Sequence, residues 1–168
     1  QPFHGRIFDP ACGSGGMFVQ SERFVEEHGG RLGDIAIYGQ ESNATTWRLA
    51  MMNLAIRHID ANLGREPADS FHRDMHKDLK ADFVLANPPF GKKSSVTIVN
   101  GEGQAQKESL TINRDDFWAT TSNKQLNFLQ HVHTMLKQHG KAAIVVPDNV
   151  LFEGGAGETV RRKLMHEG

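Results

Sequence analysis

The chain has 168 residues, which corresponds to one compact domain and leaves no room for two full ones. Lysine and arginine together number 19 and aspartate and glutamate 20, so the formal net charge of −1 argues against a free-standing nucleic-acid binder. A single cysteine and the lack of an apolar run of about 18 residues exclude a disulfide framework, a cysteine-rich zinc site and a membrane span, so we expect a protein of the reducing cytoplasm.

The first half of the chain alternates strand-like and helical segments. A strand at residues 6–9 leads into a glycine cluster, and a helix is predicted at about 17–28. A second strand at 35–38 precedes a helix that Ser42 or Asn43 would cap and that runs to about residue 62. This second helix is apolar around most of its surface, which predicts that it is well buried. Because the chain opens almost directly into a strand, we interpret it as a piece of a longer protein.

The second half is predicted to contain three more strands, two helices and a long polar loop. The strands lie at about 70–72 (a weak one), 83–86 and 142–146, one helix ends at Gly140, another begins at about Glu158, and the loop spans 91–123. A loop of this length is typically functional or mobile. Strands that alternate with helices predict an α/β fold, with a mostly parallel sheet and helices on both faces.

Three chemically unusual segments each follow a predicted strand, at residues 9–16, 40–41 and 87–90. Ligands of parallel α/β sheets bind beyond the carboxyl ends of the strands, so all three segments are expected to meet at one edge. This convergence carries more weight than any single motif.

The glycine turn at 9–16 predicts a close approach of the backbone to a ligand. It is not the dinucleotide fingerprint, because the third glycine would fall on Phe18, and no Gly-Lys-Ser/Thr follows to make a P-loop. The missing lysine indicates a ligand without a phosphate chain, and Asp9 suits a positively charged or hydroxyl-bearing group. The alternative is an ordinary tight turn.

Two further acidic residues indicate the rest of the ligand. Glu41, after the second strand, suits the two ribose hydroxyls of an adenosine, and Asp74 is placed to accept from an adenine amino group. A nucleoside with a cationic, amino-acid-like tail satisfies all of these positions, and S-adenosylmethionine is that molecule. The alternative is that Glu41 is a solvated surface charge.

The segment Asn87-Pro88-Pro89-Phe90 is the most specific signal in the sequence. Consecutive prolines fix φ and lack an N–H, so the backbone stays extended with unpaired carbonyls. The Asn87 side-chain oxygen and the Pro88 carbonyl then offer two acceptors to one amino group, whose lone pair is left available to attack a methyl group. Phe90 offers a flat face on which a base can stack. The alternative is a rigid turn with a core phenylalanine.

Residues 9–18 and 87–91 together resemble the amino-group DNA methyltransferases. With residues 38–41, 51–54, 124–131 and 140–147, the chain more narrowly resembles the modification (M) subunits of type I restriction-modification systems, over essentially its whole length. The resemblance implies a Rossmann-like S-adenosylmethionine-dependent methyltransferase fold with about five strands. It also implies methyl transfer to the exocyclic amine of adenine in double-stranded DNA, with the target base flipped into the pocket.

The resemblance assigns roles by position. Cofactor-binding roles fall to Asp9, Ala11, Cys12, Gly13, Gly15, Glu41 and Asp74, and catalytic roles fall to Asn87, Pro88, Pro89 and Phe90. Phe152 matches, more loosely, the region that supplies a second aromatic wall for the base beside Phe90. Residues 1–168 are expected to lack the N-terminal helical region and the C-terminal part of the family, and we expect this fragment to methylate nothing alone.

The resemblance also implies partners. They are double-stranded DNA, a specificity (S) subunit, a restriction (R) subunit and a second copy of the M subunit, in the cytoplasm of a bacterium or archaeon and without a membrane. Two alternatives stay open: the same chemistry directed at ribosomal RNA guanine or a protein glutamine, and a non-catalytic nucleotide-binding module. Phe90 and the Gln-Leu-Asn-Phe segment at 125–128 favour DNA over the other methyl acceptors.

The remaining candidate residues are given no site. His72 and His76 have i, i+4 spacing without a third ligand, so we expect packing or surface roles and no metal. Cys12 is at a helix start, where a thiol can be acidic, but no base is nearby. Trp118 either stacks on a base or anchors the long loop. Basic residues interpreted as solvated are Lys92, Lys93, Arg161, Arg162 and Lys163.

Overall fold

A computed structural model describes residues 4–90, 95–99 and 105–167. The described elements, in chain order, are β1 (Gly5–Asp9), α1 (Gly16–Glu27), β2 (Ile35–Gly39), α2 (Ala44–Ile56), β3 (Ala61–Asn62), β4 (Ala81–Ala86), β5 (Ser95–Val99), β6 (Ala105–Ser109), α3 (Lys124–Met135), β7 (Leu136–Ile144), α4 (Asn149–Phe152) and α5 (Ala156–Glu167). No helix within these ranges is long and apolar enough to cross a membrane.

The contacts divide the chain into two compact units. The first comprises Gln1–Pro88 with Met135–Val145, and it contains the main sheet with α1 and α2. The second comprises Pro89–Thr134 with Val146–Gly168, and it contains the β5–β6 pair, α4, α5 and nearly all of α3.

Five parallel strands form the sheet of the first unit, in the order β3-β2-β1-β4-β7. Ile7 of β1 is in register with Ile37 of β2 and with Phe83 of β4. Phe18 of α1 and Leu54 of α2 are almost completely buried in the same apolar cluster as Ile7 and Ile37. The predicted α/β class with a mostly parallel sheet is therefore confirmed, and β1, β2 and β4 lie close to the predicted positions.

The third strand is not where the sequence predicted it. Residues 70–72 form turns, and β3 lies instead at Ala61–Asn62, inside the stretch predicted as the end of the second helix. The helix ends early because His58 takes a positive φ of 55° and the Ile59 N–H turns back to the Leu54 carbonyl at 3.0 Å. Because the helix ends at this left-handed turn, the following residues can form β3.

Helix α2 also buries less of its surface than the sequence predicted. Only Ala50 and Leu54 are buried, whereas other apolar side chains of the helix are exposed within this chain, namely Leu49, Met51, Met52 and Ile56. Its amino end agrees with one of the two predicted caps, because the Asn43 side chain accepts the Thr46 N–H at 3.0 Å.

The boundary between the last strand of the sheet and the preceding helix is also different. Helix α3 ends at Met135, not at Gly140, and β7 covers Leu136–Ile144 instead of 142–146. Gly140 is a strand residue: a Cβ there would lie 2.9 Å from the Ala81 carbonyl oxygen, so glycine permits the close approach to β4. The strand pairing shifts register at the same place, between Ala81 and Phe83.

The predicted loop at 91–123 contains regular structure. Strands β5 and β6 pair antiparallel, with Ser95 opposite Ser109, and Ile112 forms an isolated bridge with Thr121. Residues 91–94 and 100–104 lie outside the described residues, so the predicted mobility of the loop stays a prediction. Trp118 packs on the apolar cluster of the second unit, and its ring centroid lies 4.4 Å from that of His133, which favours the anchoring role.

Candidate functional site

The glycine turn after β1 is built from backbone that only glycine adopts easily. Gly13 and Gly15 have positive φ values of 55° and 79°, and the Gly15 N–H donates to the Cys12 carbonyl at 2.9 Å. Helix α1 then begins at Gly16, as its first turn bonds back to the Gly15 carbonyl. The predicted strand–turn–helix at residues 9–16 is therefore present.

Asp9 is the buried acid of this turn. Its Oδ1 accepts the Ala11 N–H at 2.9 Å, and only 2% of the residue is exposed. Burial raises the pKa of Asp9 from 3.8 to about 7, the Ala11 hydrogen bond opposes this rise, and the nearby Glu41 carboxylate adds to it. A cationic group next to Asp9 would offset the free-energy cost of burying its negative charge. The sequence interpretation places such a group, the cationic end of the cofactor, beside Asp9.

Glu41 links the ends of β1 and β2. Its Oε2 accepts the Gly13 N–H at 3.2 Å, and its Oε1 accepts the Asn43 N–H at 2.7 Å and the Ser42 hydroxyl at 3.4 Å. The residue is half-buried, so it is not a fully solvated surface charge. A carboxylate has about four acceptor positions, and these contacts occupy three of them.

Asp74 lies in a loop that Gln40 holds in place. The Gln40 amide is fully buried, its Nε2 donates to the carbonyls of Ala68 at 3.1 Å and Arg73 at 2.7 Å, and its Oε1 accepts the Met75 N–H at 3.1 Å. Asp74 itself accepts the His76 N–H at 2.8 Å and is half-buried. Residues 40–41 stand out in the sequence, but no role for Gln40 can be predicted from it, because the partners of Gln40 are about thirty residues away.

A second residue missed by the sequence interpretation supports the glycine turn. The Asn53 side chain, on α2, donates to the Ser14 carbonyl at 2.8 Å. Asn53 lies in the 51–54 segment that carries part of the family resemblance, so that segment was the available signal. The hydrogen bond ties the middle of the turn to a helix of the same unit.

His76 and the Cys12 thiol are buried, whereas His72 lies at the surface. His76 is buried, its Nε2 donates to the Gly39 carbonyl at 2.8 Å, and its ring packs edge-on against Phe8 and Tyr38. His72 is exposed and contacts Asp69. Within 4–90, 95–99 and 105–167, no group of three histidine, cysteine or acidic side chains is arranged to hold a metal. Burial raises the pKa of the Cys12 thiol, and Asp9 adds to this effect, so the thiol is not acidic.

The first half of the Asn-Pro-Pro-Phe segment lies at the same edge of the sheet as the glycine turn. Asn87 and Pro88 follow β4, which is the parallel neighbour of β1, whose last residue is Asp9. Asn87 is exposed and Pro88 is buried. The first unit therefore brings the Asn87 candidate, the candidates at residues 9–15 and Glu41 to the carboxyl ends of neighbouring strands, whereas Asp74 lies in the loop between β3 and β4.

The other candidates belong to the second unit. The Pro89 carbonyl accepts a hydrogen bond from Gln125 Nε2 at 2.7 Å, and Phe90 is 49% exposed. Phe152 is the last residue of α4 and is 82% exposed. Both aromatic rings are thus open to a ligand, and the sequence interpretation missed Gln125.

The match to a family model decides what this arrangement represents. The family model described as N-6 DNA methylase matches residues 1–168 of the sequence. The chain belongs to the N-6 DNA methylase family. It is 43% identical, over 97% of its length, to the methylase subunit of the type I restriction enzyme HindI from Haemophilus influenzae. It covers 35% of that protein, so it spans about a third of the length of this relative.

Solved structures agree with this membership. The M protein of the type I restriction enzyme EcoKI, from Escherichia coli, superposes with a TM-score of 0.75 at 34% identity, covering 96% of this chain and 33% of that one. A Listeria monocytogenes protein described as a class I S-adenosylmethionine-dependent methyltransferase shares the fold, with a TM-score of 0.67 at 15% identity and coverage of 97% and 45%. The methyltransferase fold predicted from the sequence is confirmed.

Family membership implies S-adenosylmethionine as the cofactor, and the first unit fits this molecule. The cofactor has a cationic end, which suits the buried Asp9 carboxyl with its raised pKa. Its ribose hydroxyls are donors, which suit the half-buried Glu41 carboxylate. Gly13 and Gly15 have positive φ values, which favour glycine, so the turn carries no side chain at these two positions.

Proposed function

We propose that this chain supplies the catalytic part of an S-adenosylmethionine-dependent DNA methyltransferase, which modifies the exocyclic amine of adenine in double-stranded DNA. We further propose that the intact protein is the modification subunit of a type I restriction-modification system, acting in the cytoplasm. The observation that carries the proposal is the position of Asn87 at the end of β4, beside the glycine turn that ends β1. The 43% identity to a type I methylase subunit supports the choice of DNA.

Asn87 and Pro88 act on the amine to be methylated. The Asn87 side-chain oxygen and the Pro88 carbonyl accept its two N–H bonds, which withdraws the nitrogen lone pair from the ring and directs it outward. When bound, the cofactor supplies an electrophilic methyl group on a positively charged sulfur. Asn87 and Pro88 would hold the amine nitrogen toward that methyl group, whose bond to the sulfur would break with its electron pair left on the sulfur. The now cationic amine then loses a proton to solvent, so no side chain with a tuned pKa is needed.

The cofactor is held by two acids at strand ends and by a third acid in the loop between β3 and β4. Asp9 faces the cationic methionine end, Glu41 accepts the ribose hydroxyls, and Asp74 accepts the adenine amino group. Ala11, Cys12, Gly13 and Gly15 contribute backbone to the same pocket. The hydrogen bonds of Gln40 to the 68–75 loop support the position of Asp74.

Two exposed aromatic rings serve the target base. Phe90 stacks on the flipped adenine, and Phe152 supplies the second wall. Their exposure of 49% and 82% leaves the rings free for such contacts. The net charge of −1 supplies little attraction to phosphates, so most of the affinity for DNA comes from partner subunits. These partners are a specificity subunit, a restriction subunit and a second modification subunit.

A labelled-methyl assay tests this function. The intact gene product, alone and co-expressed with its specificity subunit, is incubated with labelled S-adenosylmethionine and with unmethylated genomic DNA, ribosomal RNA or a peptide-release factor. We expect incorporation into DNA only, stimulated by the specificity subunit, with N6-methyladenine as the product and a single modified sequence on mapping. Incorporation into RNA guanine or protein glutamine would assign the same chemistry to another substrate. Cofactor binding without transfer to any acceptor would indicate a non-catalytic module.

A further inference from the structure

Gln125 is a buried glutamine in the first turn of α3, and one end of its amide is hydrogen-bonded to the Asn-Pro-Pro-Phe segment. Its Nε2 donates to the Pro89 carbonyl at 2.7 Å, and 4% of the residue is exposed. Its Oε1 is buried without a hydrogen-bond partner among the described residues. A buried acceptor without a partner lowers stability, so stability alone does not favour glutamine at this position.

The hydrogen bond acts directly on Phe90 through peptide geometry. The Pro89 carbonyl and the Phe90 N and Cα atoms lie in one peptide plane, because the C–N bond has partial double-bond character. Fixing the carbonyl oxygen therefore fixes the plane from which the Phe90 side chain projects. Proline at 89 limits φ on the other side of this plane, so the Gln125 contact removes much of the freedom that remains.

Gln125 is itself held in position. The Asn123 Oδ1 accepts the backbone N–H of Gln125 at 2.9 Å and that of Leu126 at 3.4 Å, which caps the start of α3. The Asn123 amide donates in turn to Glu153 at 2.6 Å. Leu126 is fully buried in the apolar cluster of the second unit. The donor that reaches Pro89 thus projects from a capped and packed helix end.

We propose that Gln125 is a positioning residue that sets the orientation of Phe90 for stacking on the target base. The inference rests on the proposed function of this site and adds a residue that acts through Phe90 instead of touching substrate or cofactor. Its consequence is a loss of productive base capture, with no change in cofactor affinity, when the donor to the Pro89 carbonyl is removed.

Gln130 provides a matched control on the same helix. It is equally buried, its Nε2 donates to the Ala119 carbonyl at 3.0 Å, and its Oε1 accepts the Ala119 N–H at 2.8 Å. These two hydrogen bonds support a loop outside the Asn-Pro-Pro-Phe segment, and a third, from Nε2 to the Asn127 Oδ1 at 3.5 Å, stays within α3. Gln130→Leu therefore removes a buried amide of the same kind without touching Pro89.

The first experiment compares Gln125→Leu with Gln130→Leu in the intact protein with its specificity subunit. For Gln125→Leu we expect kcat/KM for a duplex carrying the mapped site to fall by about two- to tenfold, with an unchanged cofactor Kd and a small shift in melting temperature. Gln130→Leu should lower the melting temperature more and kcat/KM per folded molecule less. In a Phe90→Ala background, Gln125→Leu should have no further effect, because the ring that it orients is gone.

The second experiment uses Gln125→Glu, which keeps the size of the side chain. A protonated glutamic acid donates to the Pro89 carbonyl, whereas the carboxylate only accepts and repels that oxygen. The ratio of variant to wild-type kcat/KM should therefore rise as the pH is lowered, and taking the ratio at each pH removes the titration of Asp9. Apart from the wild type, the only protein that must fold for this readout is the Gln125→Glu variant.

The outcomes separate this inference from the proposed function. Three results would each overturn the positioning role while wild-type protein still methylates DNA. The first is an equal loss of kcat/KM for Gln125→Leu and Gln130→Leu, and the second is full additivity of Gln125→Leu with Phe90→Ala. The third is a ratio of Gln125→Glu to wild-type kcat/KM that does not change with pH. If the proposed function itself is wrong, wild-type protein incorporates no methyl group into DNA, and the failure is seen before any variant is compared.

Discussion

The Gly13 N–H donates a hydrogen bond of 3.2 Å to the Glu41 carboxylate, across 28 residues of sequence. The contact joins the glycine turn after β1 to the acid after β2, because these parallel strands are neighbours and their last residues, Asp9 and Gly39, are in register. One carboxylate therefore shapes the turn and also faces the space where the ribose of the cofactor is proposed to bind.

Replacing Glu41 by glutamine tests its role as the ribose acceptor. Glu41→Gln keeps the size of the side chain but removes its charge and one acceptor, so cofactor affinity should fall by about 1–3 kcal/mol in calorimetric titrations. Glu26→Gln changes an exposed glutamate of α1 and serves as the control, with unchanged affinity. Equal affinities for Glu41→Gln and the wild type would mean that Glu41 only supports the turn.

The raised pKa of Asp9 predicts a pH-dependent stability. The folded protein keeps the Asp9 proton up to a pKa of about 7, whereas the unfolded chain loses it near 3.8. Between these values the folded state binds more protons, so the contribution of Asp9 to stability falls as the pH rises from about 4 to 7. Asp9→Asn removes this loss, and its melting temperature relative to wild type should therefore increase over that interval. Asp78→Asn, at an exposed position, should not reproduce the trend.

Asn87→Ala should abolish methyl transfer and leave cofactor affinity nearly unchanged, because the side chain is proposed to touch only the target amine. We expect a loss of about 100-fold or more in single-turnover rate on the mapped duplex. Asn113→Ala, at an exposed position outside the site, should retain the wild-type rate. If Asn87→Ala keeps more than about a tenth of that rate, the side chain is not the catalytic acceptor.

Phe90→Ala should weaken capture of the target base by about 1–3 kcal/mol, the usual contribution of an aromatic stack, and Phe90→Trp should lose much less. Capture is measured by the fluorescence of 2-aminopurine placed at the target adenine of the mapped duplex. Phe24 of α1 has nearly the same exposure, 50% against 49%, and Phe24→Ala is the matched control. The same signal for Phe90→Ala and Phe24→Ala would argue against stacking on Phe90.

Gly39→Ala should destabilise the first unit at the end of β2. A Cβ there would lie 2.8 Å from the Phe18 ring and 2.9 Å from Leu63, both of which are buried, so the core must shift. We expect a loss of about 1–3 kcal/mol in the free energy of unfolding from denaturant titration. Gly16→Ala has no atom within 4 Å of the new Cβ and lies at the start of α1, so it should be neutral or slightly stabilising.

The sequence by itself determined the class of fold and the edge of the sheet where the candidate site lies. Apolar runs separated by helical segments predict a parallel sheet, and the position of a residue just after a strand is a local property of the chain. For this reason the sequence alone predicts that residues 9–16, Glu41 and Asn87 lie at strand ends. The role of Asn43 as the helix cap is likewise local, since its partner Thr46 is three residues away.

Only the tertiary structure decided which residues hold the candidate site in place. Gln40 bonds to a loop about thirty residues away, and Gln125 bonds to Pro89 across 36 residues, so neither contact leaves a periodic pattern. The raised pKa of Asp9 depends on burial by the whole unit. Gly140 looked like a helix end but is a strand residue packed on the Ala81 carbonyl. Glycine is common at helix ends and also in strands where another backbone comes close, and only the approach of a distant strand shows which role Gly140 has.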